Sequence, residues 1–226
     1  TVDRMIGLMP ALDENSKVLD VGSGYGGACR HMAKKLPGKF VGLNLSEVEN
    51  ERGRQLNKEQ GLDDRIDIVD GSFEDLPFED NAFDLVWSQD AILHSGNREK
   101  VLDEVARVLK PGGVFIFTDP MQADDCPSGV LQPILDRIHL ESLASPGVYR
   151  HMAQRVGMEY MDFDDLSTQL PRHYSRVLQE LEMHESELDG KVSKEYIENM
   201  KKGLQHWIEG GDSGYLMWGI LRFRKK

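Results

Sequence analysis

Short apolar runs that stop at glycines alternate, along the first half of the chain, with stretches whose apolar positions recur every three or four residues. Lys17-Val18-Leu19-Asp20-Val21 is the first such run, and its end at Gly22 marks a strand. Gly27 to Leu36 then reads as a helix closed by Pro37-Gly38. Phe40 to Leu45 predicts a second strand, Ile66 to Val69 a third, Phe83 to Trp87 a fourth and Val114 to Thr118 a fifth. Between the second and third, Ser46 and Glu49 have the spacing of a capping box, so a helix should run from about Glu47 to Gln60 with Gly61 just past its end. Val101, Leu102, Val105, Val108 and Leu109 form one helical face from Lys100 to Lys110, broken by Pro111-Gly112-Gly113. Val2, Met5, Ile6 and Met9 give Thr1 to Leu12 helical spacing. Strands alternating with helices of this length imply an α/β fold with a doubly wound, mostly parallel sheet covered on both faces.

Beyond Asp119 the rhythm changes. Helical stretches are expected near Val130–Ser142 and Val148–Val156, then a strand near Glu159–Phe163. Two long amphipathic stretches follow, about Ser175–Leu188 and Lys194–Ile208, and Tyr215 to Phe223 closes the chain as a strand. No repeat, low-complexity tract or linker interrupts this order. The reading is therefore one domain, residues 1–226, with its elaborations in the second half.

Composition narrows the partners. The chain has 226 residues, 39 acidic against 27 Lys plus Arg, and a net charge of -12. Such an excess of acid repels phosphate backbones and anionic headgroups, which argues against nucleic acid and against a membrane surface. No apolar run approaches the ~18–20 residues that span a bilayer. Cys29 and Cys126 offer neither ligand spacing nor a disulfide framework, so reduced thiols, a cytoplasmic setting and no metal are expected. The chain opens Thr1-Val2-Asp3 without a signal-peptide pattern, as a trimmed chain would. A homodimer is compatible with all of this; the sequence does not fix the oligomeric state.

The segment Asp20-Val21-Gly22-Ser23-Gly24-Tyr25-Gly26-Gly27 lies between the first strand and its helix. Glycines there let the backbone turn tightly and approach a ligand. Gly22, Gly24 and Gly27 also fit a dinucleotide fingerprint, and a ligand-free turn would read the same. Asp20 separates the ligands. A carboxylate beside the loop would oppose a pyrophosphate, whereas it suits a ligand with cationic groups, such as the sulfonium and ammonium of S-adenosylmethionine.

The sequence at this point resembles the class I S-adenosylmethionine-dependent methyltransferases, over about Val18 to Thr118. The resemblance rests on Val18 to Gly26, on Asp70-Gly71-Ser72-Phe73, on Phe83 to Ser88 and on Leu109 to Gly113, in this order and spacing. It implies a Rossmann-like fold with helical substrate-side insertions, residues 18–119 forming the cofactor-binding half and 120–226 the substrate-side elaborations. It also implies an N-terminal lid segment before Thr1. By position, Gly22, Gly24 and Gly26 would approach the methionine part of the cofactor, with Asp20 also among the cofactor-binding residues. Asp70 would face the adenine amino group, with Gly71, Ser72 and Phe73 beside the ring, and Gln89 would lie near the ammonium. The family's usual acid at the end of the second strand is replaced by Asn44, followed by Leu45. Asn44 can accept one ribose hydrogen bond but lacks the charge-assisted grip, so binding should survive Asn44→Asp.

A finer resemblance is to the sarcosine/dimethylglycine N-methyltransferases. It rests on Gly42 to Ser46 with Glu49-Asn50, Ser88 to Ser95, Asp136 to Leu140 with Ser145-Pro146, and His173-Tyr174 with Arg176. It implies methylation of a small zwitterionic amine to glycine betaine. The residues offer matching chemistry. A substrate carboxylate favours a bidentate arginine, and Arg172 and Arg176, four apart, would share a helix face beside His173 and Tyr174. His94, after the fourth strand, is the candidate catalytic group, placed to take the amine proton or to orient the substrate, with Asp90 as a substrate contact. Methyltransferases acting on phosphoethanolamine, sterols or polyketides share parts of these segments. A non-catalytic S-adenosylmethionine-binding protein remains a second reading. A dinucleotide oxidoreductase is disfavoured by Asn44 and by the lack of a catalytic Tyr/Lys pair.

Overall fold

Four of the five residues of β1 (Lys17–Val21) are buried, as a central strand covered on both faces requires. The computed structural model describes residues 1–226. A short helix α1 (Val2–Ile6) precedes β1, and α2 (Gly27–Ala33), β2 (Lys39–Asn44), α3 (Glu47–Glu59), β3 (Ile66–Asp70) and β4 (Phe83–Gln89) follow it. A 3-10 turn (Ile92–His94), α4 (Arg98–Val108) and β5 (Leu109–Thr118) complete the alternating half. The remaining elements are β6 (Met121–Gln122), α5 (Gln132–Ile138), α6 (Pro146–Arg155), β7 (Met158–Asp165), α7 (Gln169–Met183), α8 (Lys194–Asp212), β8 (Leu216–Met217) and β9 (Gly219–Lys225).

The chain forms two compact units. The first comprises Thr1–Asp119, Tyr149–Phe163 and Ile220–Lys226. It holds a seven-stranded sheet in the order β3-β2-β1-β4-β5-β9-β7. β1 pairs in parallel with β2 and β4, β2 with β3, and β4 with β5, while β9 is antiparallel to β5. The order reverses at β1: the chain winds outward to β3, then returns to the other side of β1 as β4. The connections leave β1 and β4 in opposite directions and open a crevice at their carboxyl ends. Fully buried Trp87, Leu19, Leu85, Phe115, Phe117 and Phe223 form the core around that point. The Phe115 and Phe117 rings stack at 4.5 Å.

The helices carry their own end signals. The Ser46 hydroxyl accepts from the Glu49 N–H at 3.4 Å to start α3, and Asn97 does the same for α4 from Lys100 at 3.1 Å. The Arg65 guanidinium donates to the carbonyls of Ala33, Leu36 and Gly38, each at 2.7 Å. It thereby satisfies the Ala33 carbonyl at the end of α2 and two carbonyls of the turn that follows.

The second unit comprises Pro120–Val148 and Asp164–Gly219. β6 and β8 form a two-stranded antiparallel sheet. α7 and α8 pack together, with Tyr174 stacked on Trp207 at 4.9 Å. The fit is close: a Cβ on Gly211 would lie 2.8 Å from the Pro171 ring, so α8 approaches α7 at a distance only glycine permits.

Several boundaries differ from expectation; α5 ends at Ile138, short of Ser142, and α8 runs past Ile208 to Asp212. α1 ends at Ile6, well short of Leu12. β5 starts at Leu109 rather than Val114, because Leu109 already pairs with Phe83 and the Pro111-Gly112-Gly113 segment forms an irregularity inside the strand. α7 begins six residues before Ser175, since Pro171 sits in its first turn, where no N–H is required. The closing strand divides at Trp218, whose N–H goes to the Ser167 hydroxyl at 3.1 Å instead of a neighbouring strand.

Candidate functional site

The carboxyl ends of β1, β2, β3 and β4 finish at one edge of the sheet, with Val21 opposite Leu43, Asn44 opposite Asp70 and Gln89 opposite Thr118. A cleft of ≈ 490 Å³ opens there, within the range of small-molecule sites. All its lining belongs to the first unit. Gly22, Gly24, Asn44, Leu45, Gly71, Ser72, Phe73, Gln89, Asp90 and His94 line it, together with Leu43, Glu74, Ala91 and Ser95. The connecting loops therefore bring ten of the sequence-derived candidates into one cavity.

The glycine loop turns as its composition requires. Gly22 and Gly24 have φ of 78° and 51°. The N–H groups of Gly22 and Ser23 both donate to the Leu43 carbonyl, at 2.8 and 3.0 Å. A Cβ on Gly22 would fall 2.4 Å from that of Ala91, while one on Gly24 would meet nothing within 4 Å. One glycine admits the opposite wall, and the other leaves room on the cleft side. Asp90 also has positive φ, 50°, a strained conformation for a residue with a side chain. Its N–H donates to the Thr118 carbonyl at 2.9 Å. The Gln89 side-chain oxygen accepts from the Trp87 indole at 3.3 Å, which fixes the amide at the rim.

His94 ends the 3-10 turn and is exposed. Its position is set from below. Asp119, fully buried, accepts from the Leu93 N–H at 3.1 Å through one oxygen and from the Tyr149 hydroxyl at 2.6 Å through the other. Arg98 donates to the Leu93 carbonyl at 2.9 Å. Burial pushes the Asp119 carboxyl up to about 7, against the opposing effect of the Tyr149 hydrogen bond. Glu74 takes the hydroxyl of Ser95 and, at 3.2 Å, the N–H of Asn97. Neither Asp119 nor Tyr149 stood out in the sequence. Asp119 had a signal, its place after the carboxyl end of β5; Tyr149, thirty positions further on, had none.

Three of the sequence-derived cofactor residues stand outside the cleft lining. Asp20 is buried against α2, its carboxylate 3.6 Å from the Cys29 sulfur, and burial raises it to about 7. The Asp70 carboxylate turns to α3, accepting from Asn50 at 2.7 Å and from Arg54. These bonds, Asn50 foremost, hold it below the usual carboxylate range. Gly26, with φ 74°, is the N-cap of α2.

The acceptor candidates on α7 lie in the second unit. Arg172 and Arg176 share one helix face and line a cavity of ≈ 930 Å³ with Asp125, Asp165 and Asp212. Arg176 also pairs with Glu180. Tyr174 does not line that cavity: it stacks on Trp207, with the His173 ring against its edge at 5.3 Å. No group of three or more His, Cys, Asp or Glu is arranged to hold a metal ion, and no helix is long and apolar enough to cross a membrane.

A family model described as a methyltransferase domain matches residues 19–117. A sarcosine/dimethylglycine N-methyltransferase of Halorhodospira halochloris is 60% identical over 225 residues, covering 100% of this chain and 81% of that protein. The enzyme of the same description from Aphanothece halophytica is 56% identical over 225 residues, with the same coverage. A crystal structure from Galdieria sulphuraria, assigned as a sarcosine dimethylglycine methyltransferase, is 43% identical with a TM-score of 0.93, covering 100% of this chain and 84% of that one.

Proposed function

This chain belongs to the S-adenosylmethionine-dependent methyltransferases, and from that premise we propose that it N-methylates sarcosine and dimethylglycine to glycine betaine. The observation that carries the acceptor is the extent of the likeness. It runs through the second unit as well as the first, whereas the methyltransferase domain alone ends at residue 117. Two unpaired cysteines support a cytoplasmic setting.

The cleft residues fit the cofactor. Gly24 leaves the backbone open to it, Asn44 stands where a ribose would be met, and Ser72 and Phe73 supply a polar edge and an apolar face for a purine ring. When bound, the cofactor supplies an electrophilic methyl on a sulfonium, so the protein's task is positioning and desolvation. Gln89 and Asp90, on the opposite rim, would meet the amino-acid end, Asp90 opposing positive charge. In this reading His94 takes the proton that the acceptor nitrogen must lose before attack. Arg172, which lines the second unit's own cavity, carries a guanidinium suited to a carboxylate, with Arg176 beside it partly occupied by Glu180. Asp20 and Asp70 act behind the cleft wall, Asp20 on α2 and Asp70 on α3.

The direct test incubates the protein with methyl-labelled S-adenosylmethionine and dimethylglycine and follows labelled betaine by mass spectrometry. Betaine formation is expected. Turnover with phosphoethanolamine but not dimethylglycine would reassign the acceptor. Cofactor binding with no transfer to any small amine would favour a non-catalytic binding protein.

A further inference from the structure

The capping box expected at the start of α3 is only half formed. Ser46 caps the Glu49 N–H, but the Glu49 carboxylate does not return to the helix start. It accepts instead from the side-chain amide of Asn44, at 3.0 Å. An ionised carboxylate only accepts hydrogen bonds, so the end of the amide facing it must be the NH2 group. That contact fixes which way the amide points: Nδ2 toward α3, Oδ1 away from it. Asn44 lines the cleft, and its backbone carbonyl is held by the Asn50 side chain at 2.8 Å and the Gly71 N–H at 3.2 Å. With both backbone and amide held, the side-chain oxygen is the atom left for a ligand.

We propose that Glu49 is a positioning residue for the cofactor ribose, locking Asn44 so that its amide oxygen accepts from a ribose hydroxyl. The proposal rests on the reading of the cleft as the cofactor site. Negative charge is thereby moved from the strand end to the first turn of α3, where the helix N-terminus favours it. Asn44 serves as the neutral contact between that charge and the ligand. An Asn without such a partner could present either end of its amide to the cleft, and half of its orientations would offer a donor where a hydroxyl donor also needs an acceptor.

The arrangement inverts the usual expectation for a carboxylate at the end of the second strand. Asp at position 44 would face Glu49 at hydrogen-bond distance, and two ionised carboxylates there repel. The substitution that restores the common family residue should therefore weaken binding, and removing the charge at position 49 should repair it.

The test measures S-adenosylhomocysteine and its 2′-deoxy and 3′-deoxy forms by titration calorimetry. The wild type should discriminate against at least one deoxy form by about tenfold, the scale of one well-placed hydrogen bond. Glu49→Ala should erase that discrimination while leaving the deoxy form's own affinity unchanged. Asn44→Asp should bind S-adenosylhomocysteine about tenfold more weakly than wild type, and Asn44→Asp with Glu49→Gln should recover at least wild-type affinity. Ser46→Ala removes the α3 cap without touching Asn44; it should lower the melting temperature and keep the ribose discrimination. Tighter binding by Asn44→Asp alone, or unchanged discrimination in Glu49→Ala, would overturn the proposal. Failure of the wild type to bind S-adenosylhomocysteine at all would instead overturn the reading of the cleft.

Discussion

Replacing Asp119 by Asn should flatten the dependence of stability on pH. The carboxyl is fully buried and stands at about 7 against an ordinary 3.8, chiefly through burial. The folded protein therefore keeps this proton up to about pH 7, while the unfolded chain releases it near 3.8. Stability from this group is complete below the unfolded value, declines as the pH rises, and is gone above the folded one. The decline is about 1.4 kcal/mol per pH unit. Between pH 5 and pH 7.5 only the roughly two units below the folded value count, or about 2.7 kcal/mol. For a chain of this size that corresponds to roughly 5–10 °C in melting temperature. The amide introduced by the substitution cannot titrate, although its oxygen can still accept from Tyr149 or Leu93. Asp20 is raised to about 7 as well, but its contribution is common to both proteins and cancels in the comparison. Melting temperatures of wild type and Asp119→Asn at pH 5 and 7.5, followed by calorimetry, give the difference directly. The wild type should fall by roughly 5–10 °C more than the variant over that interval. Parallel falls would show that Asp119 is ionised in the folded protein across this range, and the reasoning from burial would be refuted.

Gly22→Ala combines a positive φ with a clash against Ala91, and should weaken S-adenosylhomocysteine binding by about tenfold or more. Gly22→Ala with Ala91→Gly should recover part of that loss in the same titration, since it relieves the clash but not the backbone strain. Glu104 accepts from the Leu76 N–H at 2.8 Å and from Arg107 at 2.7 and 3.0 Å. Glu104→Ala leaves that N–H without its acceptor and should cost about 3 kcal/mol, roughly 10 °C by thermal denaturation. Arg172→Ala should raise KM for dimethylglycine about tenfold with a smaller change in kcat, and Arg176→Ala should do less because Glu180 already engages that guanidinium. Unchanged KM values would remove Arg172 from acceptor binding.

The alternating half of the fold was legible because each strand carries a compact apolar run bounded by Gly or polar residues, and parallel strands need little more to declare themselves. The cleft was legible for a topological reason. Residues that follow the carboxyl ends of adjacent parallel strands must meet, so Gly22, Asn44, Ser72 and Gln89 could be gathered from their places in the sequence alone. Side-chain direction was not legible in the same way. Asp20 and Asp70 stand at the right strand ends, yet one carboxylate turns to Cys29 and the other to Asn50 and Arg54. The partners of Asp70 lie sixteen and twenty positions back along the chain, a separation no local pattern encodes. The start of β5 at Leu109 was hidden because Pro111-Gly112-Gly113, whose composition reads as a turn, falls inside the strand. On α7, Arg172 and Arg176 shared a face as their spacing required, whereas Tyr174 was claimed by Trp207 from the next helix.

The place of β9 has a consequence for how the protein is made. The strand β9 lies between β5 and β7, so the sheet cannot close until residues Gly219–Lys225 have been made. β5 is complete at Thr118, and about a hundred residues, or some 5–20 s of translation, separate it from its antiparallel partner. Throughout that interval the edge formed by Val114-Phe115-Ile116-Phe117-Thr118 emerges from the ribosome without the strand that will cover it. Apolar, uncharged and rich in strand-forming residues, it is the kind of segment that pairs with other chains. Ribosome pausing in the second half, or loss of the seven residues of β9, would thus be felt first as aggregation, before any effect on catalysis could be measured.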